Sequence, residues 1–523
     1  MNRWNALRLV AFALVATIYI AVRFWNLTAA CLWFDEIFSV HAAEHSWNSI
    51  LDFVALDLIH PPLFYLILKV WIAVGGESLV WMRSLPVVFS VVAIVPFLLL
   101  CREIKLSYWT SLLAFLLIAV NGSLIKYAQE VRMYSMLMWL SLFSIWLFVR
   151  YIRAGKGIAA LTIVNILLVY THYFGWFVLL VEAIVLAYTA YARSSSIFNK
   201  RQRSLTTIAV VAGVPFVCFI PWLLAVISAA ASGSEVGQNI GWMLRPGLSE
   251  IVHLALSIVE PFYYATTSID ARSWYLISVP LLLIAVAALV VYVVRSDKVD
   301  AEQRSSMILL AAFCAVPSAL VLVGSWFLPY SIWGTRHLTI VFVPASILIA
   351  NAVAHLPNLR TFVSTTLILF VGYAFLIQAR RPVVQPIWCG FEPIGDKLQA
   401  QLNGPIYVFE DLAAYHLWFR FRNYPDAKFR QRVVKVDGFP GMPEDKAYFI
   451  PRGLDDEFLR RGYLPLTIGK FWIVYRESSF DFTKPPVDTL TANGLKVTQR
   501  DAYDGGESKI YAIYVVREDD KAN

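Results

Sequence analysis

A mainly α, polytopic membrane protein with about eleven transmembrane helices and a C-terminal extracytoplasmic α/β domain is the fold class the sequence predicts. Three observations lead there. The 523 residues are 59% hydrophobic and only 15% charged. Charge is spread unevenly: residues 1–382 hold 25 Lys and Arg and 16 Asp and Glu, while residues 383–523 hold 19 and 20. The first part also falls into apolar runs near the roughly 20 residues that a bilayer-crossing helix needs, whereas the second has the charge density of an ordinary soluble domain. A boundary near Pro382 follows, with a transmembrane domain over 1–382, a long first outer loop over 26–79, and a separate domain over 383–523.

In chain order the expected spans are 7–25, 80–100, 107–121, 133–150, 157–171, 174–192, 205–228, 274–294, 306–328, 337–354 and 360–378. The apolar run Pro61 to Val74 is too short to cross and suits an interfacial or buried helix. Basic residues support leaving it out. Without it, the N-terminus and the joints at Arg102/Lys105, Arg150/Arg153/Lys156, Arg193/Lys200/Arg201/Arg203, Arg295/Lys298/Arg304 and Arg360 share one side. That side collects 15 of the 25 basic residues, so the positive-inside rule makes it cytoplasmic. The opposite face then receives the 26–79 loop, a short loop at 122–132, the 229–273 loop and the whole C-terminal domain. The net charge of +8 belongs to the membrane part and is explained by this bias, so no nucleic-acid partner is indicated. Residues 9–22 read as an uncleaved first helix in preference to a signal peptide.

Within the tail, Ile406–Glu410, Phe471–Arg476 and Ile510–Val516 are β-branched and aromatic runs that predict strands. Leu412–Arg422 has helical spacing. Of the five cysteines only Cys31 and Cys389 fall on the outer side by this topology, the others lying within spans or at a cytoplasmic end, and an oxidising compartment would let these two pair if the tail folds back over the first loop.

Chemistry-bearing residues concentrate on the outer face. Asp35-Glu36 follows Leu32-Trp33-Phe34 just beyond the first span. Adjacent carboxylates at a membrane surface repel and lose solvent, which raises one pKa and makes a base; the competing reading is a helix N-terminus favouring acids. His60-Pro61-Pro62-Leu63 opens the short apolar helix with φ fixed by proline, so His60 is a metal ligand, a phosphate donor or a cap. Glu130 and Arg132, in Tyr127-Ala128-Gln129-Glu130-Val131-Arg132-Met133-Tyr134, are costly at a membrane edge unless paired or facing a polar cavity. Thr171-His172-Tyr173 and Gly334-Thr335-Arg336-His337 emerge on the same face.

In this order and in a multispan chain, the segments DE, HPPL, QEVRMY, THY and a late Arg resemble the GT-C superfamily of glycosyltransferases. More narrowly they resemble the group of protein O-mannosyltransferases and lipid A aminoarabinose transferases. The resemblance covers residues 7–380 and is strongest over the first 175. It implies eleven to thirteen spans, a long first outer loop and a polyprenyl-phosphate sugar donor. It also implies that Asp35 is the catalytic carboxylate and that Glu130 shapes the acceptor or metal site, with basic residues at the membrane edge holding the lipid phosphate. His60 stands where aminoarabinose transferases carry Lys, and Asp57-Leu58-Ile59-His60 departs from the mannosyltransferase spacing.

The expected activity is therefore transfer of a sugar from a polyprenyl-phosphate donor to a hydroxyl of a glycan, lipid or protein acceptor, with inversion. A phosphate leaving group needs no strong acid, but the acceptor hydroxyl needs an oriented base, a role given to Asp35 with Glu36 and Glu130 completing the catalytic set. Arg132, Arg336 and Lys126 would meet the phosphate charge. His60, Asp57, His172 and Tyr173 form the candidate acceptor or metal site, for which a divalent metal is the one candidate cofactor. The compartment favoured is the bacterial inner membrane, with site and tail on the periplasmic side. The alternative is a transporter or flippase of lipid-linked sugars, which predicts paired discontinuous helices in two related halves; no such repeat is found.

Overall fold

The computed structural model describes residues 3–191, 205–234, 236–262, 271–356, 358–380, 385–401, 404–423, 427–436, 459–461, 464, 469–476, 486–504 and 509–517. The expected boundary at Pro382 and the basic joint Arg193/Lys200/Arg201/Arg203 lie outside them. The chain forms two compact units. One comprises Met1–Leu27, Ile59–Ala231 and Met243–Val383; the other comprises Thr28–Leu58, Ser232–Trp242 and Val384–Asn523.

The first unit is helical, and every expected span coincides with a helix. Among the described residues, seven helices are long and apolar enough to cross a membrane: Trp4–Phe24, Leu79–Glu103, Tyr134–Ala154, Thr206–Ala231, Tyr275–Val294, Ala301–Phe327 and Arg360–Arg380. Four expected spans are shorter apolar helices, Tyr108–Val120, Ile158–Thr171, Gly175–Tyr191 and Thr339–Ala354. Tyr134–Ala154 sits at the centre with 83% of its apolar window buried, whereas Trp4–Phe24 and Arg360–Arg380 bury 17% and leave leucine, valine and phenylalanine side chains on the outside. That inversion of the soluble pattern is what a lipid solvent permits. The polytopic membrane fold expected from the sequence is the one observed.

Pro61 and Pro62 precede the helix Leu63–Gly75, whose 13 residues match the short run expected not to cross. It is clasped to the next helix by two tryptophans. The Trp71 and Trp81 rings stack at 4.5 Å and 9°, and each indole Nε1 donates to the other's backbone carbonyl, at 2.8 and 2.7 Å. Gly75 lies directly against the Trp81 ring.

The second unit is α/β. Its strands are β1 (Ile406–Val408), β2 (Val433–Val436), β3 (Leu459–Arg461), β4 (Lys470–Arg476), β5 (Leu495–Asp504) and β6 (Lys509–Arg517). They form one sheet in the order β3-β2-β1-β4-β6-β5. β1 pairs parallel with β2 and β4, in the register Ile406 with Val433 and with Trp472, while β6 runs antiparallel to β4 and β5. The expected strands and the helix Asp411–Arg420 are all present. The first-loop helices Phe34–Glu44 and Ile50–Asp57 pack into this unit. Phe34 and His41 meet Tyr415, and His41 also meets Trp418. Glu44 reaches Arg422 and Arg430 at 3.1 and 3.6 Å. Cys31 and Cys389, the pairing the expected topology allows, form a disulfide.

Candidate functional site

In the second unit the acidic pair opens the helix Phe34–Glu44. Residues one apart on a helix point about 100° from each other, and the two carboxylates have different environments. Glu36 is fully buried, and its Oε2 accepts the backbone N–H of Trp33 at 3.2 Å, capping the helix start. Asp35 is partly exposed, and its backbone carbonyl accepts the Ser39 hydroxyl at 3.0 Å. Asp57 closes the helix Ile50–Asp57 just before Leu58, which takes a left-handed φ of 62°. Both its carbonyl and its Oδ1 accept from Asn239 Nδ2.

In the first unit the segments carrying His60, Arg132, His172 and Arg336 converge at helix ends. Arg132 is buried, and its guanidinium donates to His60 Nε2 at 2.9 Å and to the Tyr65 hydroxyl at 3.2 Å. His60 therefore accepts at Nε2, which places its proton on Nδ1. The His172 ring lies 5.8 Å from His60 and 5.2 Å from His337, with Phe174 5.0 Å from His337. His172 Nδ1 accepts the Phe174 backbone N–H at 3.1 Å, so its own proton sits on Nε2, a buried atom with no hydrogen-bond partner among the described residues. Burial first, then His60, Arg132 and Arg336, hold His172 well below the usual 6.5. Burial, His172, Arg336 and His60 do the same to His337. Both imidazoles are neutral donors or acceptors at physiological pH.

Glu130 and Lys126 face each other at 4.0 Å one helical turn apart, and Lys126 keeps a third of its side chain in solvent. Burial, followed by the Glu130 charge, raises Tyr127, while Arg336 opposes the shift. The Tyr173 hydroxyl accepts from Trp222 Nε1 at 3.3 Å. The structure thus joins His60, His172, Arg132 and Arg336 in the first unit and places Asp35, Glu36 and Asp57 in the second. Sequence reasoning did not assign Tyr65 or His337 to the site, although His337 ends the quoted Gly334–His337 segment and Tyr65 follows HPPL by two residues.

The residues do not fit a metal at His60. A guanidinium N–H occupies the Nε2 lone pair that a cation would need, and no group of three His, Cys, Asp or Glu among the described residues is arranged to hold an ion.

The fold is similar to that of solved GT-C membrane glycosyltransferases. The chain superposes on the crystal structure of ArnT from Cupriavidus metallidurans bound to undecaprenyl phosphate, with a TM-score of 0.54 and 10% identity over 96% of this chain and 97% of that one. The apo form of the same protein gives 0.53. The archaeal oligosaccharyltransferase AglB from Archaeoglobus fulgidus, in complex with an inhibitory peptide and a dolichol-phosphate, gives 0.51 and 12% identity over 90% of this chain and 70% of that one. No protein-family model and no curated protein sequence matches the chain.

Proposed function

We propose that the protein is a membrane glycosyltransferase that moves a sugar from a polyprenyl-phosphate donor to an acceptor hydroxyl, on the extracytoplasmic face of a bacterial inner membrane. The observation that carries the reading is the buried Arg132, held between His60 and Tyr65 at the ends of membrane helices and beside neutral His172. A cation kept in that setting suits an anion entering sideways from the bilayer, such as a lipid phosphate. Support also comes from the ArnT and AglB folds, whose structures hold undecaprenyl phosphate and a dolichol-phosphate.

In this reading Arg132, Arg336 and Lys126 hold the donor phosphate and stabilise the charge that grows as the sugar leaves. Asp35 takes the proton of the acceptor hydroxyl as that oxygen attacks the anomeric carbon, inverting it. Glu36 fixes the helix that carries Asp35, and Glu130 keeps Lys126 placed. His172 and Tyr173 contribute to the acceptor site, and Asp57 ends the helix before His60. Residues 383–523 form the extracytoplasmic domain attached to the 1–382 membrane domain.

The purified protein in lipid nanodiscs, given undecaprenyl-phosphate sugars, should release undecaprenyl phosphate slowly by hydrolysis in wild type and not in Arg132→Ala. No release from any donor of a broad panel, together with scrambling of those lipids in proteoliposomes, would assign the chain to lipid transport instead.

A further inference from the structure

Three helices of the first unit each send one polar side chain to a common point well below the His172 turn. Ser144, Asn165 and Glu182, from Tyr134–Ala154, Ile158–Thr171 and Gly175–Tyr191, are all fully buried. They form a closed ring. Ser144 Oγ lies 2.6 Å from Asn165 Oδ1 and 2.7 Å from Glu182 Oε1, and Asn165 Nδ2 lies 2.7 Å from Glu182 Oε2. Asn165 Nδ2 also donates to the Val211 carbonyl at 3.3 Å. That carbonyl lies in the π-helical turn Ala209–Gly213 that runs into a fourth helix, just ahead of Pro215, which has no N–H to donate. The contact fixes the amide orientation, nitrogen towards Val211 and Glu182, oxygen towards Ser144.

Counting hydrogens then decides the state of Glu182. Three contacts need three hydrogens. Asn165 supplies one to Glu182, and Ser144 has only one, which goes to Asn165 Oδ1. The third contact, between Ser144 and Glu182, is oxygen to oxygen and must be made by a proton on the carboxyl. Turning the amide over does not remove the need, because Glu182 would then have to donate to Asn165. An ionised carboxylate here would also be costly in hydrocarbon, and among the described residues its polar partners are the neutral Ser144 and Asn165.

We infer that Glu182 is a neutral carboxylic acid, and that the ring it closes is an uncharged clamp positioning the helix ends that bear His172 and Arg132. Asn165 stands six residues before Thr171 and Glu182 seven after Gly175, about 9 and about 10.5 Å along their helices from the turn. A tie across both legs of this hairpin limits how far His172 can move. The bundle stays uncharged at that depth, where a salt bridge would need two desolvated ions.

The protonation needs no substrate to test. The infrared difference spectrum of the full-length protein minus its Glu182→Gln variant at neutral pH should contain a carboxylic-acid carbonyl band; a carboxylate band in its place overturns the inference. The positioning role, which rests on the proposed donor class, is read from affinity for undecaprenyl phosphate. The side-chain amide introduced by Glu182→Gln can give an N–H to Ser144 and accept from Asn165, so this variant should bind within about twofold of wild type, whereas Glu182→Ala and Ser144→Ala should lose about tenfold. Should Glu182→Ala fail to fold, Ser144→Ala carries the comparison. Unchanged affinity in Ser144→Ala, or a loss in Glu182→Gln as large as in Ser144→Ala, would overturn the clamp. If wild type itself does not bind undecaprenyl phosphate, the donor class fails separately, and the imidazole nitrogen-15 signals of His172 report the displacement: shifted in Ser144→Ala, unshifted in Glu182→Gln.

Discussion

Asp35 and Glu36 are neighbours with separate tasks in the proposed chemistry. Asp35→Asn keeps shape but cannot accept a proton, so turnover should fall by about a hundredfold to ten-thousandfold with donor affinity unchanged. Turnover within tenfold of wild type would remove Asp35 as the base. Glu36, by contrast, holds the Trp33 N–H at the start of the helix and serves the fold. Arg132→Ala should weaken donor binding, and Arg132→Lys should restore it only in part, since a point charge cannot reach both His60 and Tyr65. His416 gives the second unit a pH dependence of known sign. Burial, with its ring stacked on Trp388 and Phe391, and secondarily the Arg476 charge push its pKa from 6.5 down to about 3. The unfolded chain takes up a proton near 6.5 and the folded chain only near 3, so this contribution is complete above 6.5 and is lost as pH falls towards 3. The slope is at most about 1.4 kcal/mol per pH unit. Melts compared at about pH 7 and about pH 5 should separate more in wild type than in His416→Phe.

At the scale of elements, the Trp71–Trp81 clasp makes a sharp prediction. A Cβ at position 75 would lie 2.0 Å from the Trp81 ring, so Gly75→Ala must displace the indole and break both reciprocal hydrogen bonds. A loss of about 1 to 3 kcal/mol is expected, with a shift in tryptophan emission; an unchanged melt and spectrum would mean the clasp is loose. The elements themselves were unequally legible in the sequence. Membrane helices were readable because hydropathy is a one-dimensional property. Strands β1, β4 and β6 lie next to one another within the sheet and read as continuous apolar runs. β5 is an edge strand whose exposed face carries Lys496, Thr498 and Arg500, so polar residues diluted its signal. The histidine cluster was legible only in part. HPPL, THY and the late Arg each marked a segment, but the approach of His337 to His172 and of Tyr65 to Arg132 depends on how four helices pack, which no local spacing encodes. Glu182 escaped notice for the opposite reason, as one polar residue in a long apolar run.

For the whole molecule, orientation is the first thing to measure. Ser249 and Asp297 are both exposed and fall on opposite sides of the expected topology. In a background lacking Cys218, Ser249→Cys should react with an impermeant thiol reagent in intact cells and Asp297→Cys should not; the reverse pattern would turn the protein over in the membrane. The disulfide between Cys31 and Cys389 bears on assembly. Its two cysteines are 358 residues apart, with every helix expected to cross the membrane after the first lying between them in sequence. On the expected topology the bond can close only after the ribosome has made nearly three quarters of the chain and the insertion machinery has delivered the last span. Oxidation thus works as a receipt for completed biogenesis: a nascent chain stalled before residue 389 carries a free Cys31 exposed to quality-control proteases, and pulse-labelled protein should acquire protease resistance and the disulfide in the same interval.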